Sequence, residues 1–125
     1  MDAKNETGVR VLLIAAGLIG ISGVMAAAAA SHAGESRNLA AIAAICLSHG
    51  PALLALGLLG QGRVLQSAGW LLAGGTLVFA ADLGVREWIG HGVFPGAAPL
   101  GGMAMILGWI CISLAGAQRI RLASK

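Results

Sequence analysis

The sequence feature that most constrains the fold is a sustained apolar run, LAAIAAICLSHGPALLALGLLG, at residues 39–60. At a rise of ~1.5 Å per residue, a helix of this length crosses a hydrocarbon core about 30 Å thick. Pro51 lacks a backbone N–H, so one turn of that helix loses a hydrogen bond. His49 lies two residues earlier, and a polar side chain at this depth needs a partner within the protein. We therefore expect a membrane-spanning helix with a polar group near its centre.

Three further apolar runs accompany this one, at residues 11–31, 68–89 and 100–117. The chain is 58% hydrophobic and only 10% charged, which is typical of an integral membrane protein and not of a soluble domain. The connections between the runs are short, and short connections favour pairing of sequential helices. We predict an all-α fold in which residues 1–125 form a single transmembrane domain, a bundle of four antiparallel helices.

Basic residues predict the orientation of the bundle. The first connection contains only Arg37, and only Arg86, near the end of the third run, adjoins the third connection, whereas the N-terminus, the second connection and the tail are richer in basic residues. Because cytoplasmic segments are enriched in Lys and Arg, we expect both termini in the cytoplasm. The formal charge of the chain is +3. Because the basic residues lie beside apolar runs, they are expected to set the orientation in the membrane, and nucleic acid is not an expected partner. The basic residues assigned to the cytoplasmic side are Lys4, Arg10, Arg63, Arg119, Arg121 and Lys125.

The first run has an alternative interpretation. A basic lead, an apolar core and the small-residue stretch AAASHA at 28–33 also describe a secretory signal, cleaved near Ala30 or Ala33. The run is longer than the usual apolar core of such a signal, and cleavage would leave three helices with little soluble domain to export. We favour an uncleaved transmembrane helix, and an intact N-terminus in the mature protein would decide between the two.

Few ionisable residues fall within the apolar runs. A carboxylate near the centre of a spanning helix, such as Asp82, costs roughly 2.5–3.5 kcal/mol to insert, so it is expected to have a partner. The local interpretation pairs Asp82 with Arg86, four residues later, and lets the arginine reach the outer surface. The alternative places Asp82 and His49 in one outward-facing pocket, about 10 and 15 Å deep. The candidate intramembrane polar site comprises His49, Asp82, His32 and Arg86.

Motifs for catalysis or cofactor binding are missing from the sequence. It has no GxSxG, P-loop or dinucleotide-binding pattern, and its histidines lack the spacing of a helical HExxH metal site. Cys46 and Cys111 each lie alone in an apolar run and are expected to be small core residues. Trp109, in the middle of the fourth run, is expected to be a packing anchor. We therefore expect no enzyme activity, no cofactor and no metal.

Several segments resemble the YgdD-like family of small bacterial membrane proteins, the domain of unknown function 423. AGWLLAGGTLVF at 68–79 and APLGGMAMILGW at 98–109 look like its third and fourth helices, and His49 in LSHGPALLALGLL falls where the family has a histidine before an apolar run. His32 falls where the family's first helix ends in Gly-Ala-Phe-Gly-Ala-His, which here reads AAAASH, and Asp82 replaces a small or hydroxyl residue. The resemblance implies a four-helix, multi-pass inner-membrane protein and assigns no activity.

Two functions are compatible with these residues. The first is a non-enzymatic accessory or assembly partner of a membrane complex, which binds other membrane proteins, or a second copy of itself, through small-residue helix faces in the lipid bilayer. The alternative is a small proton-coupled transporter that uses the outward-facing His49/Asp82 pocket. Small multidrug exporters have a similar length, but the glutamate that they carry in the first helix is absent here. Contact between His49 and Asp82 would favour the transporter.

Overall fold

The computed structural model describes residues 3–32 and 34–124, so Ala33 and Lys125, which enter the predictions above, lie outside the described residues. The described residues contain no β-strand, and the all-α prediction is confirmed. Each helix is long and apolar enough to cross a membrane, as a multi-pass membrane protein requires. The four helices are α1 (Ala3–His32), α2 (Arg37–Leu59), α3 (Arg63–Ile89) and α4 (Ala97–Ala123).

Local sequence explains where these helices begin and end. Ser36 precedes α2, and its hydroxyl accepts a hydrogen bond of 3.2 Å from the backbone N–H of Leu39, which caps the helix. Gly90 ends α3 in the left-handed conformation, with φ of 86°, which glycine adopts without strain. Pro99 lies in the first turn of α4, where its missing N–H costs no intrahelical bond. The fourth helix therefore begins at Ala97, three residues before the apolar run at 100–117.

Close packing of α1 against α2 depends on glycine. A Cβ placed on Gly23 would lie 2.9 Å from the side chain of Leu47, and one on Gly57 would lie 3.0 Å from Leu13. Helices in lipid associate through such close approaches, because lipid chains are as apolar as the helices themselves. Of the two contacts, the one later in α1, at Gly23, is the one earlier in α2, at Leu47.

The helices α3 and α4 approach each other in the same way. A Cβ on Gly75 would lie 2.7 Å from the carbonyl oxygen of Gly101, and one on Gly101 would lie 2.6 Å from that of Gly75. By contrast, nothing lies within 4 Å of a Cβ on Gly74 or Gly102. Each adjacent pair of glycines therefore supplies one helix contact and one open position.

The backbone of the fourth helix packs against α3 alone, although its Met105 belongs to the hydrophobic core. Within the described residues, α1, α2 and α3 contact one another, whereas no Cα of α4 comes within 8 Å of α1 or α2. The core contains Cys46, which is fully buried as expected, while Cys111 on α4 is only partly buried. The backbone of α4 thus rests on α3 alone, and a side chain provides its link to α2.

Candidate functional site

The first polar centre joins α2 to α4 through His49 and Trp109. The indole N–H of Trp109 donates a hydrogen bond to Nε2 of His49 at 3.2 Å, and the rings meet edge-on with centroids 5.8 Å apart. Each residue lies twelve positions after the start of its helix, or ~18 Å along it. His49 is 6% exposed and Trp109 is 45% exposed. The indole therefore lies at the lipid-facing edge of the contact and the imidazole lies inside it.

The hydrogen bonds of His49 select one form of its ring. An indole N–H can only donate, so Nε2 of His49 must accept. Nδ1 lies 2.9 Å from the backbone carbonyl of Ile45, which can only accept, so Nδ1 carries the proton. The Ser48 hydroxyl lies 3.0 Å from the same nitrogen. This geometry assigns His49 as a neutral imidazole, and a proton added at Nε2 would break the bond to Trp109.

The second polar centre surrounds Asp82, whose side chain is fully buried near the end of α3. Nε of Arg86 donates to Oδ2 at 2.8 Å, and the backbone N–H of Val93 donates to Oδ1 at 2.8 Å. A Cβ on Gly92 would collide with both charged side chains, so the connection passes directly over the ion pair. Asp82 therefore ties the α3–α4 connection to α3, and Arg86, with 42% of its side chain exposed, extends toward the surface.

The two polar centres lie at different depths. Nδ2 of Asn38, at the start of α2, donates to Oε2 of Glu87, near the end of α3, at 3.0 Å. From this shared level His49 lies eleven residues along α2 and Asp82 five residues along α3, so the two are offset by about 9 Å along the helices. Each has its own hydrogen-bond partners. Among these bonds none joins His49 to Asp82, so the described residues lack the contact on which the alternative, a shared pocket, depends.

The four residues of the candidate polar site fall in three places. Asp82 and Arg86 form the local pair that their spacing predicts. His49 lies deeper, with Trp109, and His32 is exposed at the last position of α1. Sequence reasoning missed the donor role of Trp109, although an indole N–H within lipid needs an acceptor. Trp109 lies as far along its helix as His49 does along its own, and this equal position could have suggested that the two side chains are partners.

The remaining buried polar side chain also links helices. Thr76 on α3 donates a hydrogen bond of 3.4 Å to Sδ of Met105 on α4. Across residues 3–32 and 34–124, no buried side-chain nitrogen or oxygen lacks a hydrogen-bond partner. In the same ranges, no three His, Cys, Asp or Glu side chains lie together as a metal site requires. The buried polar groups thus connect elements of the fold.

A groove with a volume of about 560 Å³ runs between α1 and α2 on the outside of the molecule. Nothing lies within 4 Å of a Cβ placed on Gly17 or Gly20, so their backbone is uncovered there. We call this recess the glycine groove. Its lining is apolar and consists of Leu13, Ala16, Gly17, Gly20, Gly50, Pro51, Leu54 and Leu58.

Comparison with known proteins places the chain in a family. Residues 26–102 match the family model described as "Protein of unknown function (DUF423)". The matched segment begins within α1, ends in the first turns of α4 and includes His49 and Asp82. Searches of curated proteins and of solved structures found no match. The match covers more than half of the chain and confirms the resemblance seen in the sequence: this multi-pass membrane protein belongs to the DUF423 family, whose function is unknown.

Proposed function

We propose that this protein is a non-enzymatic accessory or assembly partner of a membrane complex, and that it binds a transmembrane helix of its partner in the glycine groove. The observation that carries this proposal is the groove itself, an apolar recess of about 560 Å³. Gly17 and Gly20 leave backbone uncovered within it, and such positions let a second helix approach closely. A ridge of side chains on the partner helix fills the recess.

The proposal includes an orientation in the membrane. The four helices run antiparallel, with both termini in the cytoplasm of a cell whose inner (plasma) membrane holds the protein. Two observations support this arrangement. Later residues of α1 meet earlier residues of α2, and Lys and Arg are concentrated in the N-terminus, the second connection and the tail.

Hydrogen bonding at the two polar centres favours this proposal over a proton-coupled transporter. A proton relay needs groups that exchange protons with each other or with a continuous path. Nε2 of His49 already accepts from Trp109, and Asp82 is engaged by Arg86 and by the backbone of Val93. An assembly role uses these residues to hold the helices in place and needs neither of them to titrate.

Leucine substitutions in the groove test the proposal. Gly17→Leu and Gly20→Leu each add a side chain that meets no atom of this chain at its Cβ and occupies the groove. We expect both variants to accumulate in the membrane at wild-type abundance and to lose the partner during purification in mild detergent. Gly74→Leu is the matched control, because Gly74 is equally open but lies on α3, outside the groove. It should retain the partner.

Three results would count against this proposal. Retention of the partner by both groove variants would exclude the groove as the binding surface. Failure of the wild-type protein to cross-link to any other membrane protein in intact membranes would remove the assembly role. A pH-dependent solute flux in proteoliposomes, lost in His49→Ala and Asp82→Asn, would establish the transporter in its place.

A further inference from the structure

A second recess lies at what we call the basic end of the molecule, the end that carries Lys4, Arg10, Arg63, Arg119 and Arg121. The bond between Asn5 and Gln66, of 3.4 Å, places the starts of α1 and α3 together at this end. A cavity of about 170 Å³ lies between the α2–α3 connection and the last turns of α4. Its polar lining comprises Gln61, Arg63, Gln118 and Arg119. The proposed assembly role does not use this cavity.

Two arginines from different helices, Arg63 and Arg119, line the cavity, and no acidic residue does. Within the described parts of the chain, no carboxylate forms a salt bridge with Arg63 or Arg119, and the ion pair that is present joins Asp82 to Arg86 near the end of α3. A planar guanidinium matches the oxygens of a phosphate group, to which it can donate two parallel hydrogen bonds. The charge of the cavity is therefore suited to an anion of this kind.

The cavity also has an apolar side. Leu65 and Leu122 line it together with the arginines. A neighbouring cavity of about 590 Å³ shares Gln118 and Leu122 with it and is also lined by Arg121. Arg63 is the first residue of α3, and Arg119 lies in the last turns of α4, which is where helices that span a bilayer meet the headgroups. A ligand with a phosphate and an adjoining hydrocarbon part matches both sides of the cavity.

We propose that this cavity binds an anionic phospholipid, with the headgroup phosphate between Arg63 and Arg119 and the glycerol and upper acyl chain against Leu65 and Leu122. Basic pockets between transmembrane helices are suited to such headgroups, since each basic residue near the surface adds attraction for anionic lipid. A free phosphate ion shares the charge but lacks the part that contacts the leucines. The inference is independent of the glycine groove.

Lipid titration of the delipidated full chain in detergent tests this site. Short-chain phosphatidylglycerol, short-chain phosphatidylcholine and sodium phosphate are added separately, and bound ligand is counted by native mass spectrometry. We expect phosphatidylglycerol to bind more tightly than the other two probes. Arg63→Gln and Arg119→Gln should each weaken its binding about fivefold, the effect of removing one basic residue near a lipid surface.

Two further variants serve as controls for charge and for position. Arg63→Lys keeps the charge but loses the paired hydrogen bonds of the guanidinium, so its affinity should lie between those of the wild type and Arg63→Gln. Loss of binding equal to that of Arg63→Gln would contradict a charge-based site. Arg10→Gln removes one charge from the basic end outside the cavity and should leave the affinity near that of the wild type. An equal loss in Arg10→Gln would indicate diffuse surface attraction and overturn the proposal. Equal binding of phosphatidylcholine, or of phosphate alone, would overturn the anionic lipid as ligand.

Discussion

The hydrogen bond between Trp109 and His49 predicts a measurable energetic coupling between α4 and α2. Trp109→Phe removes the indole N–H but keeps an aromatic ring, so Nε2 of His49 loses its donor. No Cα of α4 lies within 8 Å of α2 in the described chain, so backbone packing between the two helices does not compensate. The variant therefore isolates the side-chain link.

The structure sets the size of this effect. Interhelical hydrogen bonds in membranes contribute about 0.6 kcal/mol on average and up to about 1.7 kcal/mol. Leaving a buried acceptor unpaired costs about 1–3 kcal/mol, and His49 is 6% exposed. The bond is long, at 3.2 Å, and Trp109 is 45% exposed, which favours the lower part of both ranges. We expect Trp109→Phe to lower the free energy of unfolding by about 1–2 kcal/mol.

A double-mutant cycle measures the coupling directly. The wild type, Trp109→Phe, His49→Ala and the double variant are unfolded reversibly with dodecyl sulfate in mixed micelles and followed by circular dichroism. Because His49→Ala already removes the acceptor, the change at Trp109 should cost little in that background, and the interaction energy should be about 1 kcal/mol. Trp70→Phe is the control, since Trp70 is 47% exposed and lies on α3, away from the link.

Two outcomes would refute this reasoning. An interaction energy below about 0.3 kcal/mol, the usual error of additivity, would show that the two side chains do not stabilise each other. A loss in Trp70→Phe equal to that in Trp109→Phe would trace the effect to any lipid-facing indole.

The same unfolding assay checks two further predictions. Asp82→Asn keeps an acceptor but removes the charge that pairs with the partly exposed Arg86, so it should lower the free energy of unfolding by about 1 kcal/mol. Asp82→Ala also removes the acceptor and should cost about 1–3 kcal/mol more. Equal losses in the two variants would contradict the role of the carboxylate as an acceptor for the α3–α4 connection. Gly75→Ala should cost about 1–3 kcal/mol, because its Cβ would lie 2.7 Å from the carbonyl of Gly101. Gly74→Ala should be neutral or stabilising by up to about 1 kcal/mol, and a loss equal to that of Gly75→Ala would argue against the packing of α3 on α4.

Local relationships along the chain were predictable, and Asp82 illustrates why. Residues four apart on a helix lie on the same face, so the pair with Arg86 follows from spacing alone, and the structure contains it. The bond from Val93 to Asp82 did not follow, because it depends on how the connection folds back over α3. The alternative pocket with His49 rested on the depth of each residue along its helix, which was estimated without the register that the contact of Asn38 with Glu87 reveals.

The paired glycines also show what could not be predicted from the sequence. The pairs at 74–75 and 101–102 indicate close helix packing in lipid, but adjacent residues on a helix point about 100° apart, so the sequence does not say which member of each pair faces the partner. The structure assigns the contact to Gly75 and Gly101 and leaves Gly74 and Gly102 open. The glycine groove depends in the same way on how α1 and α2 are rotated about their axes.

The sequence by itself determined that this chain forms apolar helices suited to a membrane, because the length and hydropathy of each run are local properties that lipid selects directly. Family membership also followed from local residues and was confirmed by the match over 26–102. The tertiary structure alone decided that Trp109 meets His49 across 60 residues of chain, that the backbone of α4 packs against α3, and that Arg63 and Arg119 share one cavity. These features depend on the rotation and register of whole helices, which are set by the sum of many weak contacts between distant segments.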